Sequence, residues 1–140
     1  MTRPAMVIVA GPSGSGKSHH FPVDSFGVDG FNVDARAASY NGGSFRGIPR
    51  AVRLRAQQEC ETFVEEHIAR GSSFAVESTL RSSVAIEQAR RARSAGFETR
   101  MIFVIGGSAD ECVRRVAMRG LGGADGHARR RGARAVAPPA

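Results

Sequence analysis

The chain has 140 residues, 41% apolar and 24% charged, the composition of one ordinary globular domain, which excludes wholesale disorder. No run approaches the roughly 18 apolar residues of a membrane-spanning helix, and the amino terminus lacks the length and cleavage site of a signal peptide, so the expected compartment is the cytoplasm with no membrane partner. The net charge of +7 would permit nucleic-acid binding, but with no Trp and one Tyr there is no basic–aromatic stripe to carry it.

In chain order, residues 6–10 form a short apolar run rich in β-branched side chains that ends in glycine, and it predicts a buried parallel strand. A glycine-rich segment follows, with a short helix expected from about Gly16 and stopped before Pro22. Residues 31–33 predict a second strand ending at Asp34, and the residues after it favour helix until Asn41-Gly42-Gly43. The longest helix is expected over 49–70, with proline in its first turn and Gly71 at its stop. Val52, Ala56, Cys60, Phe63, Val64 and Ile68 recur there at three- and four-residue spacing, which makes one buried stripe. A third strand over 74–76 ends at Glu77, a helix spans 84–95, and a fourth strand spans 99–105. Ser108-Ala109-Asp110-Glu111 has capping-box spacing and predicts a helix to about Arg119.

Strand, loop and helix thus alternate over residues 1–120, which argues an α/β domain: a parallel sheet with helices on both faces, three layers deep. Residues 121–140, rich in Gly, Ala, Arg and Pro, are expected to form a basic tail with little regular structure. Cys60 and Cys112 stand alone, without a second thiol or a histidine at metal-ligand spacing, and read as buried thiols in a reducing compartment.

Of the 20 cations, 19 are arginine, and the single lysine lies inside Gly11-Pro12-Ser13-Gly14-Ser15-Gly16-Lys17-Ser18. This is the Walker A pattern of a P-loop. Its glycines let the backbone curl so that successive N–H groups converge on phosphate oxygens, and the following helix adds its own unpaired N–H groups. Lys17 reaches the outer phosphates as a point charge, and the Ser18 hydroxyl ligates Mg²⁺. The cofactors implied are ATP and Mg²⁺. No Asn-Lys-x-Asp guanine reader and no Leu-Ser-Gly-Gly signature is present, and the chain is short for a motor ATPase. A small-molecule kinase, an alcohol-phosphorylating transferase, is what the pattern leaves.

In an open parallel sheet ligands gather beyond the carboxyl ends of the strands, where Asp34 and Glu77 fall. Asp34 is the candidate general base, and equally a candidate cap for the helix that follows it. Glu77-Ser78-Thr79-Leu80-Arg81 offers a carboxylate, hydroxyls and a guanidinium suited to a polar acceptor, or simply an ordinary loop. Arg46 and Arg50 read as solvated, His19-His20 as structural, and Asp24-Ser25-Phe26-Gly27 lies too close behind the cradle for a GTPase Asp-x-x-Gly.

Taken together, the cradle, Phe31-Asn32-Val33-Asp34-Ala35, Phe74-Ala75-Val76-Glu77-Ser78-Thr79-Leu80, Ala95-Gly96-Phe97-Glu98-Thr99 and Arg115-Val116-Ala117-Met118-Arg119 resemble the zeta-toxin-like P-loop kinases over about residues 6–123. The resemblance implies an ATP/Mg²⁺-dependent phosphotransferase with Asp34 as general base, Glu77 and Thr79 as acceptor contacts and Arg119 near the triphosphate. Family toxins phosphorylate UDP-N-acetylglucosamine and are restrained by a small antitoxin, which makes a nucleotide sugar the implied acceptor and an antitoxin an implied partner. One departure stands out. The family continues past its arginine helix with Gly-Gly-His and further arginine-bearing helices, whereas this chain reads Gly122-Gly123-Ala124-Asp125-Gly126-His127 and then a basic, proline-ended tail. The expectation is a truncated or frame-shifted member that binds ATP and transfers phosphate poorly, because losing a transition-state arginine costs about 10³–10⁵-fold in related enzymes.

Overall fold

The computed structural model describes residues 3–12, 17–105 and 112–117. Five strands form one sheet in the order β2-β3-β1-β4-β5: β1 is Ala5–Ala10, β2 Asp29–Phe31, β3 Phe74–Ser78, β4 Glu98–Ile105 and β5 Cys112–Ala117. The first four are parallel, with Ile8 opposite Val76 on one side and Met101 on the other. Central β1 has four fully buried residues, Met6, Ile8, Val9 and Ala10, as expected of a strand covered on both faces.

On one face lie helices α2 (Val33–Ser39), α3 (Arg50–Arg70) and α4 (Val84–Ser94). Their inward residues Cys60, Val64, Ala89 and Ala92 pack with Met6, Ile8, Phe74 and Phe97 into the larger core. The opposite face is covered by the stretch that follows α1 (Lys17–His20), including a 3₁₀ turn at Val23–Phe26. There Phe21, Val23 and Phe26 pack on Val9, Ala75, Ile102 and Val104. The result is the three-layer P-loop NTPase-type α/β fold expected from the alternation of elements.

Local chemistry sets the element ends. Helix α3 starts behind Pro49 and stops at Gly71, whose φ of 68° lies in the left-handed region that glycine enters without penalty. The Ser72 amide then donates to the His67 carbonyl at 3.0 Å, closing the last turn. The expected stripe is buried at Ala56, Cys60 and Val64, and it also includes His67, which polarity alone would have placed outside. The His67 ring is sandwiched among Phe63 and Phe74, with Nδ1 2.7 Å from the Phe63 carbonyl and Nε2 2.8 Å from the Asp29 carboxylate. Both its polar atoms are thereby satisfied inside the core.

Two expectations are corrected. The second strand is Asp29–Phe31, not 31–33, because the Asn32 side chain accepts from the Ala35 amide and turns the chain into helix at Val33. Gly30 lets this strand form beside the 3₁₀ turn, since a Cβ there would sit 2.7 Å from the Val23 carbonyl oxygen. The second correction falls within the helix expected over 108–119, where Cys112–Ala117 is instead an antiparallel strand on the outer edge of β4. The intervening residues 106–111 are too few for the crossover that a parallel partner needs, and β4 otherwise presents unpaired N–H and C=O groups along that edge. The rest of that expected helix, with Arg119, and the tail 121–140 lie outside the described residues. For Cys112 only the backbone is described, whereas Cys60 is a buried free thiol.

Candidate active site

Strand β1 delivers the chain to Gly11, whose amide donates to the Ser78 carbonyl at 3.2 Å. That bond ties the start of the glycine-rich loop to the end of β3, so whatever follows β1 stands beside whatever ends β3. Ser13, Gly14, Ser15 and Gly16 lie outside the described residues; Lys17 and Ser18, which follow them, open α1.

Lys17 is only 5% exposed. Its Nζ sits 3.5 Å from Glu77 Oε1 and 3.4 Å from the Pro12 carbonyl. The Glu77 side chain is equally secluded at 5% exposure. Ser18 Oγ lies 2.9 Å from Oε1 and 2.7 Å from Oε2 of the same carboxylate. Asn32 Nδ2 donates to Oε2 at 2.8 Å and stands 3.4 Å from Ser18 Oγ. One ammonium, one hydroxyl and one amide therefore converge on a single carboxylate. A buried negative charge is tolerable only with such partners.

The remaining sequence candidates are placed differently. Asp34 is exposed in the first turn of α2, and its side chain makes no hydrogen bond or ion pair with any described residue. Because Asn32 is the cap of that helix, the capping role open to Asp34 in the sequence is already filled. Thr79 is half-buried and Arg81 exposed on the loop after β3. In that loop Leu80 takes a left-handed φ of 59°, a conformation costly for a branched side chain, and its amide donates to Ser78 Oγ at 2.9 Å. Neither Thr79 nor Arg81 reaches the Lys17–Ser18–Glu77 cluster by any described bond.

An open groove of about 390 Å³ adjoins the cluster, with Ser18, Asp24, Asn32, Arg36 and Ser39 among its walls. Arg36 lies over the Phe31 ring at 4.4 Å and pairs with Glu59 at 2.6 Å. The Tyr40 hydroxyl first, then Arg36, hold the Glu59 carboxyl below its ordinary range. Arg55 completes this clamp between α2 and α3 at 3.2 Å.

Sequence reasoning did not single out Asn32 or the Tyr40–Glu59 clamp. For Asn32 a signal existed, an N-cap residue type directly before a helix-favouring run. The clamp had none, since its members come together only when α2 docks on α3.

The sheet order β2-β3-β1-β4, with a lysine–serine pair following β1, is that of a P-loop-like α/β fold. Among solved structures, the fold matches one described as "a putative kinase from Chloroflexus aurantiacus J-10-fl", with a TM-score of 0.58 and 20% sequence identity over 73% of this chain. This chain spans 58% of the length of that protein. At this identity the likeness is one of fold. No family model and no curated protein matches the sequence. Among the described residues no helix is long and apolar enough to cross a membrane.

Proposed function

We propose that the chain is an ATP-dependent phosphotransferase that moves the γ-phosphoryl group of ATP to a hydroxyl of a small polar acceptor. The observation that carries this reading is Lys17: the sole lysine of the chain, buried behind β1, with both its contacts to described residues at 3.4 Å or longer. An ammonium held that loosely in a secluded site is poised for an anionic ligand. The Ser18 hydroxyl and Glu77 carboxylate are hard oxygen donors, a set that suits Mg²⁺ when phosphate oxygens complete its shell. When bound, ATP supplies the transferable phosphoryl group and Mg²⁺ neutralises its oxygens.

In this reading residues 11–18 hold the triphosphate, with Lys17 as its point charge and Ser18 as metal ligand. The exposed Asp34, whose side chain has no partner among the described residues, accepts the proton of the acceptor hydroxyl, and Thr79, Arg81 and the groove beside Ser18 and Asn32 receive the acceptor itself. The packing of Glu77 against Ser18 and Lys17 favours a role on the metal side rather than on the acceptor. Following the resemblance to the zeta-toxin-like kinases, a nucleotide sugar such as UDP-N-acetylglucosamine is the first acceptor to try, Arg119 stands near the triphosphate, and an antitoxin is a partner to look for.

A second reading, an ATP-binding protein with little transfer activity, is favoured by the antiparallel strand Cys112–Ala117 where the resemblance calls for a helix leading to Arg119. Transfer from γ-³²P-ATP to a panel of nucleotide sugars, sugars and nucleosides separates the two. A labelled acceptor supports the kinase, and with it Asp34→Asn should keep ATP binding while slowing transfer by about 10²–10⁴-fold. Equal rates for Asp34→Asn and wild type would remove Asp34 as the base, and ATP binding with no acceptor labelled would favour the second reading.

A further inference from the structure

The Asn32 side chain does two things at once. Its Oδ1 accepts from the Ala35 amide at 3.1 Å, and its Nδ2 donates to Glu77 Oε2 at 2.8 Å. The first bond settles the orientation of the amide: only an oxygen can face the Ala35 N–H, so the NH₂ group necessarily faces the carboxylate. The cap of α2 is therefore also a donor aimed across the sheet, from the end of β2 to the end of β3.

The three donors around Glu77 are not equivalent. Lys17 and Ser18 are the groups that a bound Mg²⁺–nucleotide recruits, Lys17 to phosphate oxygens and Ser18 to the metal. Once they turn to the ligand, the Glu77 carboxylate keeps one described donor, Asn32. That donor belongs to a helix cap and is held by the backbone of α2, so it has no reason to move with the ligand.

We infer that Asn32 is a positioning residue of the metal site: it holds the Glu77 carboxylate toward Ser18 while nucleotide and Mg²⁺ are bound, and so sets how strongly Mg²⁺ assists nucleotide binding. This rests on the reading of residues 11–18 as a nucleotide site. Outer-shell partners of this kind are generally worth about 10–100-fold in metal affinity.

The test is the ratio of ADP dissociation constants in EDTA and in excess MgCl₂, measured by calorimetry on the full chain. A general loosening of the site changes both constants and leaves their ratio alone, whereas a misplaced Glu77 lowers the ratio. Asn32→Ser keeps a capping oxygen but is too short to reach Glu77, and Asn32→Ala loses both roles. The ratio should fall by about tenfold in both variants, with the lower melting temperature belonging to Asn32→Ala. In a Glu77→Gln background Asn32→Ser should change the ratio no further. A ratio in Asn32→Ser within twofold of wild type overturns the inference and leaves the nucleotide site standing. If wild type binds ADP equally with and without Mg²⁺, the positioning role falls alone; if it binds no ADP, the nucleotide site falls as well.

Discussion

Ser18 Oγ bridges both oxygens of Glu77, at 2.7 and 2.9 Å, although the two residues are 59 positions apart in the chain. The contact follows from the sheet. Parallel pairing sets Val9 opposite Glu77 and Ala10 opposite Ser78, so the loop that leaves β1 must pass the carboxylate that ends β3. A hydroxyl and an acid meet there without any local sequence relationship.

The same geometry bears on Lys17. Removing the ammonium leaves the Glu77 carboxylate, 5% exposed, with neutral donors only. Lys17→Ala should abolish the calorimetric heat of Mg–ATP binding. Lys17→Ala that still binds Mg–ATP at wild-type strength would end the phosphate-site assignment.

Gly30 is required by its neighbour rather than by its own backbone. A Cβ would meet the Val23 carbonyl oxygen at 2.7 Å and its carbon at 2.8 Å, and backbone atoms cannot rotate away. Gly30→Ala should cost about 1–3 kcal/mol in denaturant titration, by pushing the 3₁₀ turn off the sheet. An unchanged midpoint would show that this layer moves freely.

Burial, and secondarily the Glu61 charge, push the Cys60 thiol up from 9.0 to about 12. At pH 8 it carries almost no thiolate, the form that reacts. Iodoacetamide should leave the Cys60 peptide unmodified in the native protein and label it in guanidinium, as read by mass spectrometry. Because the native value is the raised one, this group's contribution to stability is complete below pH 9 and fades as pH climbs toward 12.

Glu59 has the opposite sign. Tyr40 and Arg36 lower its native value below the ordinary 4.5, so its contribution is present above that pH and is lost as pH falls through the native value. Melting curves of wild type and Glu59→Gln should therefore converge on acidification below about pH 4.5. A gap that stays constant from pH 6 to pH 3 would place the clamp's value elsewhere than in its charge.

Much of this molecule is written locally. Apolar runs without alternation announce strands buried on both faces, as at Met6, Ile8 and Val9. The three- and four-residue recurrence of Ala56, Cys60 and Val64 announces α3, and Pro49 and Gly71 mark its ends, because a helix face and a helix stop are properties of neighbouring residues. Lys17 and Ser18 are recognisable from an eight-residue pattern for the same reason.

What the sequence withheld depends on residues far apart in it. His67 is buried because Phe74 and Asp29, on two different strands, meet it there. Cys112–Ala117 joins the sheet because β4 has an open edge, a demand that outweighs a capping-box signal in the preceding residues. Glu77 serves Ser18, Lys17 and Asn32 because β1, β2 and β3 end side by side. Propensity and spacing act over a few residues, whereas a buried charge must find its partners wherever the sheet brings them.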